Sequence, residues 1–224
     1  MEKINKKIGI FILNYNGLKW IKKNLHNIIL NSPQATITII DNNSHDSSIE
    51  YVKSTFPSVN IVEHRKNYGF AKGYNKVLLK NVDLDYFVIM NNDIMVTKNW
   101  INPILDLITK QNIGIVQPKI MNSQQREYFD YAGGAGGFID ILGIPFCKGR
   151  IMNNMEKDSG QYQKNTNIFW ASGCCFMIDR FLFQDLNGFD EDFFMHQEEI
   201  DLCWRAQSLN KEIYYCAEST IYHH

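Results

Sequence analysis

The chain has almost no net charge. Its 23 basic and 24 acidic side chains leave a formal charge of -1 at pH 7 over 224 residues. A nucleic-acid partner is therefore not expected, since phosphate binding needs a basic surplus. No C-x-x-C spacing occurs, and the cysteine count is odd: Cys147, Cys174, Cys175, Cys203 and Cys216. That pattern predicts reduced core residues of a cytoplasmic protein rather than disulfides or a zinc site. The polar, lysine-rich start Met1–Lys7 leads into the apolar run Ile8–Leu13, too short to span a bilayer and followed by no small-residue cleavage site. Neither signal peptide nor membrane helix is expected. Lys19, Lys22 and Lys23 near the start of the first helix fit a solvated face or a peripheral contact at the inner membrane surface. Three catalytic signatures are also missing. No G-x-G-x-x-G follows the first strand, no G-x-x-x-x-G-K-[ST] occurs, and no G-x-S-x-G occurs. Dinucleotide folds, P-loop enzymes and nucleophile-elbow hydrolases are thereby excluded.

What is present is an alternation of apolar strand-like runs with amphipathic helical ones. Strands are expected at Ile8–Leu13, Thr36–Ile40, Asn60–Glu63, Tyr86–Met90 and Gly114–Gln117. Helices are expected at Leu18–Leu30, Ser47–Thr55, Phe70–Lys80 and Trp100–Lys110, with Pro57 ending the second. This rhythm predicts an α/β fold with a mostly parallel central sheet flanked by helices. The second half is less regular. A glycine-punctuated, loop-rich stretch runs from Gly133 to about Thr166. After it come a strand Phe169–Ile178 interrupted at Ser172-Gly173, a helix Glu198–Leu209 and a strand Ile213–Cys216. One domain is expected over 1–224.

In parallel sheets, ligands bind beyond the carboxyl ends of the strands. Three strands here end in polar clusters: Asn14-Tyr15-Asn16, Asp41-Asn42-Asn43 and Asn91-Asn92-Asp93. Each alone is ordinary turn or cap chemistry. Asp93 suits a divalent cation, which takes only one or two protein carboxylates, or a cap on the helix from Trp100. Asp41 suits a nucleobase N–H or a ribose hydroxyl, or a turn. The densest acidic stretch is Asp190-Glu191-Asp192 followed by Glu198-Glu199-Ile200-Asp201. A solvated helix N-terminus would favour such carboxylates. Its neighbours Phe189, Phe193, Phe194, Met195 and Trp204 predict partial enclosure instead. An enclosed carboxylate can have a raised pKa that suits proton abstraction from a hydroxyl.

These segments, in this order, resemble the family 2 glycosyltransferases of the GT-A fold, especially the rhamnosyltransferase-like branch. The resemblance runs from Ile8 to His223. Ile12-Leu13-Asn14-Tyr15-Asn16-Gly17 is similar to the opening strand and loop, and Asp41-Asn42-Asn43-Ser44 with Asp46 to a D-N-x-S-x-D segment. Asn67-Tyr68-Gly69-Phe70-Ala71-Lys72-Gly73-Tyr74-Asn75 resembles N-x-G-F-A-x-G-x-N. Asn91-Asn92-Asp93 stands where the family has D-x-D, which reads N-x-D in this branch. Trp170-Ala171-Ser172-Gly173 resembles a stretch near the acceptor site. Glu198-Glu199-Ile200-Asp201-Leu202-Cys203-Trp204-Arg205 resembles E-D-x-D-L-C-x-R, with Glu in place of the usual Asp at 199.

The resemblance implies a nucleotide-sugar-binding half over about 1–117 and an acceptor-binding half over about 118–224. Asp41, Asn14, Asn16, Asn43, Asn67, Gly69, Asn75, Asn91, Asn92 and Asp93 would serve the nucleotide sugar. Trp170, Ser172 and Gly173 would meet a glycan or lipid-linked acceptor. Asp93 and His223 would hold Mg²⁺ or Mn²⁺, and Glu199 would be the catalytic base, with Glu198 or Asp201 as substitutes. The implied reaction is inverting transfer from a UDP- or dTDP-sugar in surface polysaccharide synthesis. A non-catalytic nucleotide-sugar or glycan binding module is the alternative. A nucleotidyltransferase is another, disfavoured because no basic glycine-rich loop follows the first strand.

Overall fold

The computed structural model describes residues 6–224. Most of the Met1–Lys7 stretch, residues 1–5, lies outside the described residues. The first half alternates as expected: β1 (Ile8–Asn14), α1 (Leu18–Asn31), β2 (Ala35–Asp41), α2 (Ser48–Thr55), β3 (Asn60–Glu63), α3 (Gly69–Leu78) and β4 (Tyr86–Asn91). The short strand β5 (Ile94–Val96), α4 (Ile101–Ile108) and β6 (Ile113–Asn122) follow. Two small hairpins come next, β7 (Gly137–Ile139) with β8 (Pro145–Cys147), and β9 (Arg150–Ile151) with β10 (Asn154–Met155). The chain then forms β11 (Thr166–Ile168), β12 (Cys175–Asp179), α5 (Arg180–Asp185), α6 (Glu198–Ser208) and β13 (Glu212–His223).

The main sheet runs in the order β11-β13-β6-β12-β4-β1-β2-β3, with β5 on β13. Strands β1 to β4 are mutually parallel. β12 lies antiparallel between β4 and β6, so β6 and its parallel partner β13 point the same way as β4. Only β5, β11 and β12 run against the rest, and the expected mostly parallel sheet is the observed one.

The sheet is covered on both faces, which explains why its inner strands read as continuous apolar runs. Alternate side chains of one strand enter opposite cores. Ile8, Ile10 and Ile12 of β1 join one core with Leu25 of α1, Val52 of α2 and Ile104 of α4. Phe11 of the same strand joins the other, with Tyr74 of α3, Phe183 of α5 and Leu202 of α6. Cys174, Cys175, Cys203 and Cys216 are buried and Cys147 is half-buried; all five are free thiols.

Three expectations change. Of the strand foreseen at Phe169–Ile178 only the C-terminal part is one, β12; β11 ends at Ile168, and the polar turn Ser172-Gly173 lies in the connection between them. The late strand extends from four residues to Glu212–His223, because pairing with the long β6 continues across a bulge between Cys216 and Thr220. Helix α5 was not foreseen, although Asp179 accepts a hydrogen bond from the Leu182 N–H as a capping carboxylate does.

The parallel register sets Asn14 beside Asp41 on β2, and neighbouring Leu13 beside Asn91 on β4. All three polar clusters thus meet at one end of the sheet. Asn14 is fully buried and ties them together. Its amide nitrogen lies 3.0 Å from Asp41 Oδ1, 2.9 Å from Ser48 Oγ and 3.1 Å from Ser44 Oγ, and its oxygen accepts from Asn92 Nδ2 at 3.0 Å. Asn14→Ala strips donors from a buried carboxylate. A loss of about 2–4 kcal/mol in urea-derived stability is expected, and a loss below about 0.5 kcal/mol would show that the network carries little.

Candidate active site

A cleft of two lobes opens at that end of the sheet. The first lobe, about 440 Å³, is bordered by Asn42, Asn67, Gly69, Asn91, Asn92 and His223. The second, about 540 Å³, is bordered by Tyr131, Phe146, Arg150, Met152 and Trp170. Ala132, Ser172, His196 and Glu199 border both lobes.

The strand ends supply the floor of the first lobe, but not every expected residue reaches it. Asp41 is 3% exposed and absent from the lining. Its oxygens are taken by Asn14, the Ser44 hydroxyl and the Ser44 N–H. Its neighbour Asn42 borders the lobe instead, holding the Gly69 carbonyl at 2.8 Å. Asn16 and Asn43 adopt left-handed backbone, and Asn16 accepts from the His45 N–H; both shape the loop rather than line the cleft. Asn75 is likewise turned away. It is buried and clamps the Phe189 backbone, its amide donating to the carbonyl at 2.8 Å and its oxygen accepting from the N–H at 2.9 Å. Asn67 and Gly69 do line the lobe, with Asn67 Oδ1 accepting from the Gly69 N–H. Gly69 has φ +76, and a Cβ there would lie 2.4 Å from the Phe194 carbonyl oxygen, which accepts from the Phe70 N–H. Glycine is required on both counts.

The opposite wall is the start of α6. His196 and Gln197 both have positive φ, 74 and 70. Each costs roughly 1–2 kcal/mol for a residue with a Cβ. This turn sets Glu198 and Glu199 at the helix N-terminus facing the cleft. Glu199 lies beside Gly173, where a Cβ would be 3.7 Å from its carboxyl carbon. One oxygen of each glutamate is buried without a hydrogen-bond partner. A helix N-terminus should stabilise their charge, but burial wins. Burial, with a smaller contribution from Glu199, pushes the Glu198 carboxyl up to about 7. Burial also raises Glu199 above the usual carboxylate range, against the pull of nearby His196.

Asp201 does not share this environment. Arg205 donates to its Oδ2 at 2.8 Å, and Asp201 borders neither lobe. Its expected service as a substitute base is corrected: one helical turn fixes it on an arginine that also holds the Leu186 and Gly188 carbonyls. Glu198 borders only the first lobe.

Raising the Glu198 pKa stores a stability cost. Between about 4.5 and 7 the folded state holds a proton that the unfolded chain has lost, so stability falls as pH rises through that window. Glu198→Gln removes the charge. It is expected to stabilise the fold by on the order of 2–3 kcal/mol at pH 8 and by little at pH 4. Denaturation at the two pH values measures this; an equal effect at both would refute it.

His223 is the last residue of β13, which brings it back to β4's polar cluster. Its Nδ1 lies 3.0 Å from Asp130 Oδ2 and its Nε2 3.4 Å from Asp93 Oδ1. Burial opposes its charge, but the hydrogen bond to Asp130 and the nearby Asp93 carboxylate outweigh burial and raise it to about 10. Asp130 is 5% exposed and also accepts from the Ala132 N–H. Asp130 was not foreseen. Nothing local links it to a histidine 93 residues away. Asp93 caps no helix, since β5 intervenes before α4; its Oδ1 is buried without a hydrogen-bond donor.

These features fit a divalent cation. An orphaned carboxylate oxygen faces an imidazole nitrogen, and adjacent ligands of such a cation sit roughly 3 Å apart. With Nδ1 held by Asp130, Nε2 is the nitrogen free to ligate. Among the described residues no cluster of three or more His, Cys, Asp or Glu offers a complete cage. A cation held by few protein groups and completed by phosphate oxygens matches this sparse set. His223 and Glu199 both border the first lobe, so the candidate cation site and the candidate base open onto one cavity.

On the second side, Trp170 donates from Nε1 to the Phe138 carbonyl at 2.8 Å, and its ring fills the space above Gly137. Ser172 is held by its N–H on Gln117.

Sheet order, strand-end cleft and facing helix together define a GT-A fold. A solved structure of GalNAc-T7 with UDP, GalNAc and Mn²⁺ superposes with TM-score 0.79 at 17% identity, covering 99% of this chain and 44% of that one. The chain belongs to glycosyl transferase family 2, whose model matches residues 9–186. It is 25% identical over 213 residues to the low-salt glycan biosynthesis hexosyltransferase Agl10 of Haloferax volcanii, covering 93% of this chain and 64% of that protein. To the rhamnosyltransferase WbbL of Escherichia coli it is 23% identical over 218 residues, covering 93% and 80%.

Proposed function

We propose that the chain transfers a sugar from a nucleoside-diphosphate sugar to a hydroxyl of a glycan or lipid-linked acceptor, with inversion at the anomeric carbon. One observation carries this reading: Glu199, a carboxylate raised by burial, borders both lobes of the cleft. Donor in the first lobe and acceptor in the second would meet at it. The acceptor hydroxyl must lose a proton as it attacks, and Glu199 takes it. A single base on the face opposite the leaving group suffices for direct displacement, so no protein nucleophile is required.

Asn42, Asn67, Asn91 and Asn92 offer neutral amides to the polar donor. Asp41 supports them from below through Asn14. Asp93 and His223 would hold Mg²⁺ or Mn²⁺, with Asp130 orienting the imidazole. The cation would neutralise charge growing on the departing nucleoside diphosphate. Ser172 and Gly173 keep the junction open, and Trp170 walls the acceptor side. No helix among the described residues is long and apolar enough to cross a membrane.

The test is nucleoside diphosphate release from a panel of UDP- and dTDP-sugars, with Mg²⁺ or Mn²⁺ and a crude lipid-linked acceptor. The anomeric configuration of the product is read by NMR. Donor binding by thermal shift with no release from any donor would make the chain a binding module. Pyrophosphate release from a nucleoside triphosphate and a sugar phosphate would make it a nucleotidyltransferase.

A further inference from the structure

The surface beside the second lobe has an anomalous composition. Ile141, Leu142, Ile144, Phe146, Ile151 and Met152 are all exposed, within the tips and arms of the β7–β8 and β9–β10 hairpins. Ile141 is 101% exposed, Leu142 78% and Met152 83%. Single exposed apolar residues need no explanation, but a contiguous group marks an interaction surface.

Part of the backbone of the first tip is satisfied internally. Asp140 Oδ1 accepts from the Leu142 and Ile144 N–H groups at 2.8 and 2.9 Å. The Gly143 N–H donates to the Asp140 carbonyl, and the Asp140 N–H to the Ile144 carbonyl. A turn with several of its N–H groups paired inward and its apolar side chains outward suits the interfacial region of a bilayer. Charge points the same way. Between residues 137 and 155 the only charged side chains are Lys148, Arg150 and Asp140, and Asp140 is turned into its own loop. Two half-exposed cations stand at the base of the apolar tips, Lys148 over the Phe138 ring and Arg150 on the Met152 and Tyr131 carbonyls, and the net positive charge they leave suits an anionic lipid surface. A protruding tip enters a fluid interface without a matching pocket, which a folded protein partner would have to supply.

We propose that the two hairpin tips insert into the surface of an anionic phospholipid bilayer and hold the second lobe against it. Phe146, Arg150 and Met152 border that lobe, so a lipid-borne acceptor reaches Glu199 along the inserted face. This last step rests on the second lobe being the acceptor site; the insertion itself does not.

The chain is mixed with vesicles of equimolar phosphatidylglycerol and phosphatidylcholine and sedimented. The wild type is expected in the pellet, with weaker partition onto phosphatidylcholine alone. Ile141→Ser with Leu142→Ser is expected to reduce partition roughly tenfold or more, while the donor-induced thermal shift stays unchanged. As a second readout, the fluorescence of Leu142→Trp shifts to the blue when vesicles are added. Wild type left in the supernatant, equal sedimentation of the double variant, or no blue shift would each overturn the proposal. So would self-association of the wild type in place of vesicle binding, abolished by the double variant, which would assign the tips to a second copy. None of these readouts depends on sugar transfer, so a failure here leaves the transferase reading intact, and the reverse holds too.

Discussion

Glu199→Gln is expected to lower the rate of sugar transfer about 10²–10⁴-fold while leaving donor affinity nearly unchanged. Glutamine keeps the volume and one hydrogen-bonding oxygen but cannot accept the proton. The raised pKa adds a second signature. The base works only when deprotonated, so wild-type turnover should rise with pH along an acid limb above the ordinary carboxylate range. The residual rate of the variant should lack that limb. Glu198 is the control. It is more buried and borders only the first lobe, so Glu198→Gln should retain the pH profile. Nucleoside diphosphate release measured over a pH series decides the matter, and equal turnover of wild type and Glu199→Gln removes the residue from the role of base.

Asp93→Asn is expected to cost roughly 10²–10³-fold in rate, because cation stabilisation of a developing charge is worth several kcal/mol. The loss should appear first as weaker Mn²⁺ binding, read by calorimetry in the presence of nucleoside diphosphate. Asp130→Asn tests the longer chain of contacts. Asp130 touches His223 only at Nδ1, the ring nitrogen away from Asp93, so its loss should weaken Mn²⁺ binding by about 10–100-fold through the imidazole alone. Unchanged Mn²⁺ affinity in Asp93→Asn would place the cation elsewhere.

Much of this was legible in the residue string. The inner strands are apolar because both sheet faces are covered, and the polar clusters after β1, β2 and β4 stand out against them. The enclosure of Glu199 was foreseen, but not its source: the neighbours Phe194, Met195 and Trp204 are exposed, and Glu199 is covered from across the cleft beside Gly173. The direction in which each polar side chain turns was not legible. Asp41 and Asn75 have the right identity and neighbourhood for ligand contact, yet Asp41 is consumed by Asn14 and Ser44, and Asn75 by the Phe189 backbone. Asp201 could have been discounted from its spacing to Arg205, since residues four apart share a helix face. Asp130 carried no local signal at all.

Hydrophobic periodicity is a property of short windows, and it was enough to order strands and helices, to predict a mostly parallel sheet, and to set three polar clusters at strand ends. Whether a carboxylate is free or spent depends on partners that arrive from distant parts of the chain. Burial raised Glu198 and Glu199 against the favourable helix terminus, an arginine engaged Asp201, and the return of β13 set His223 between Asp93 and Asp130. Hydrogen bonding and desolvation are long-range in sequence though short-range in space. For that reason the chemistry of the acidic residues was settled by the folded cleft and not by their order in the chain.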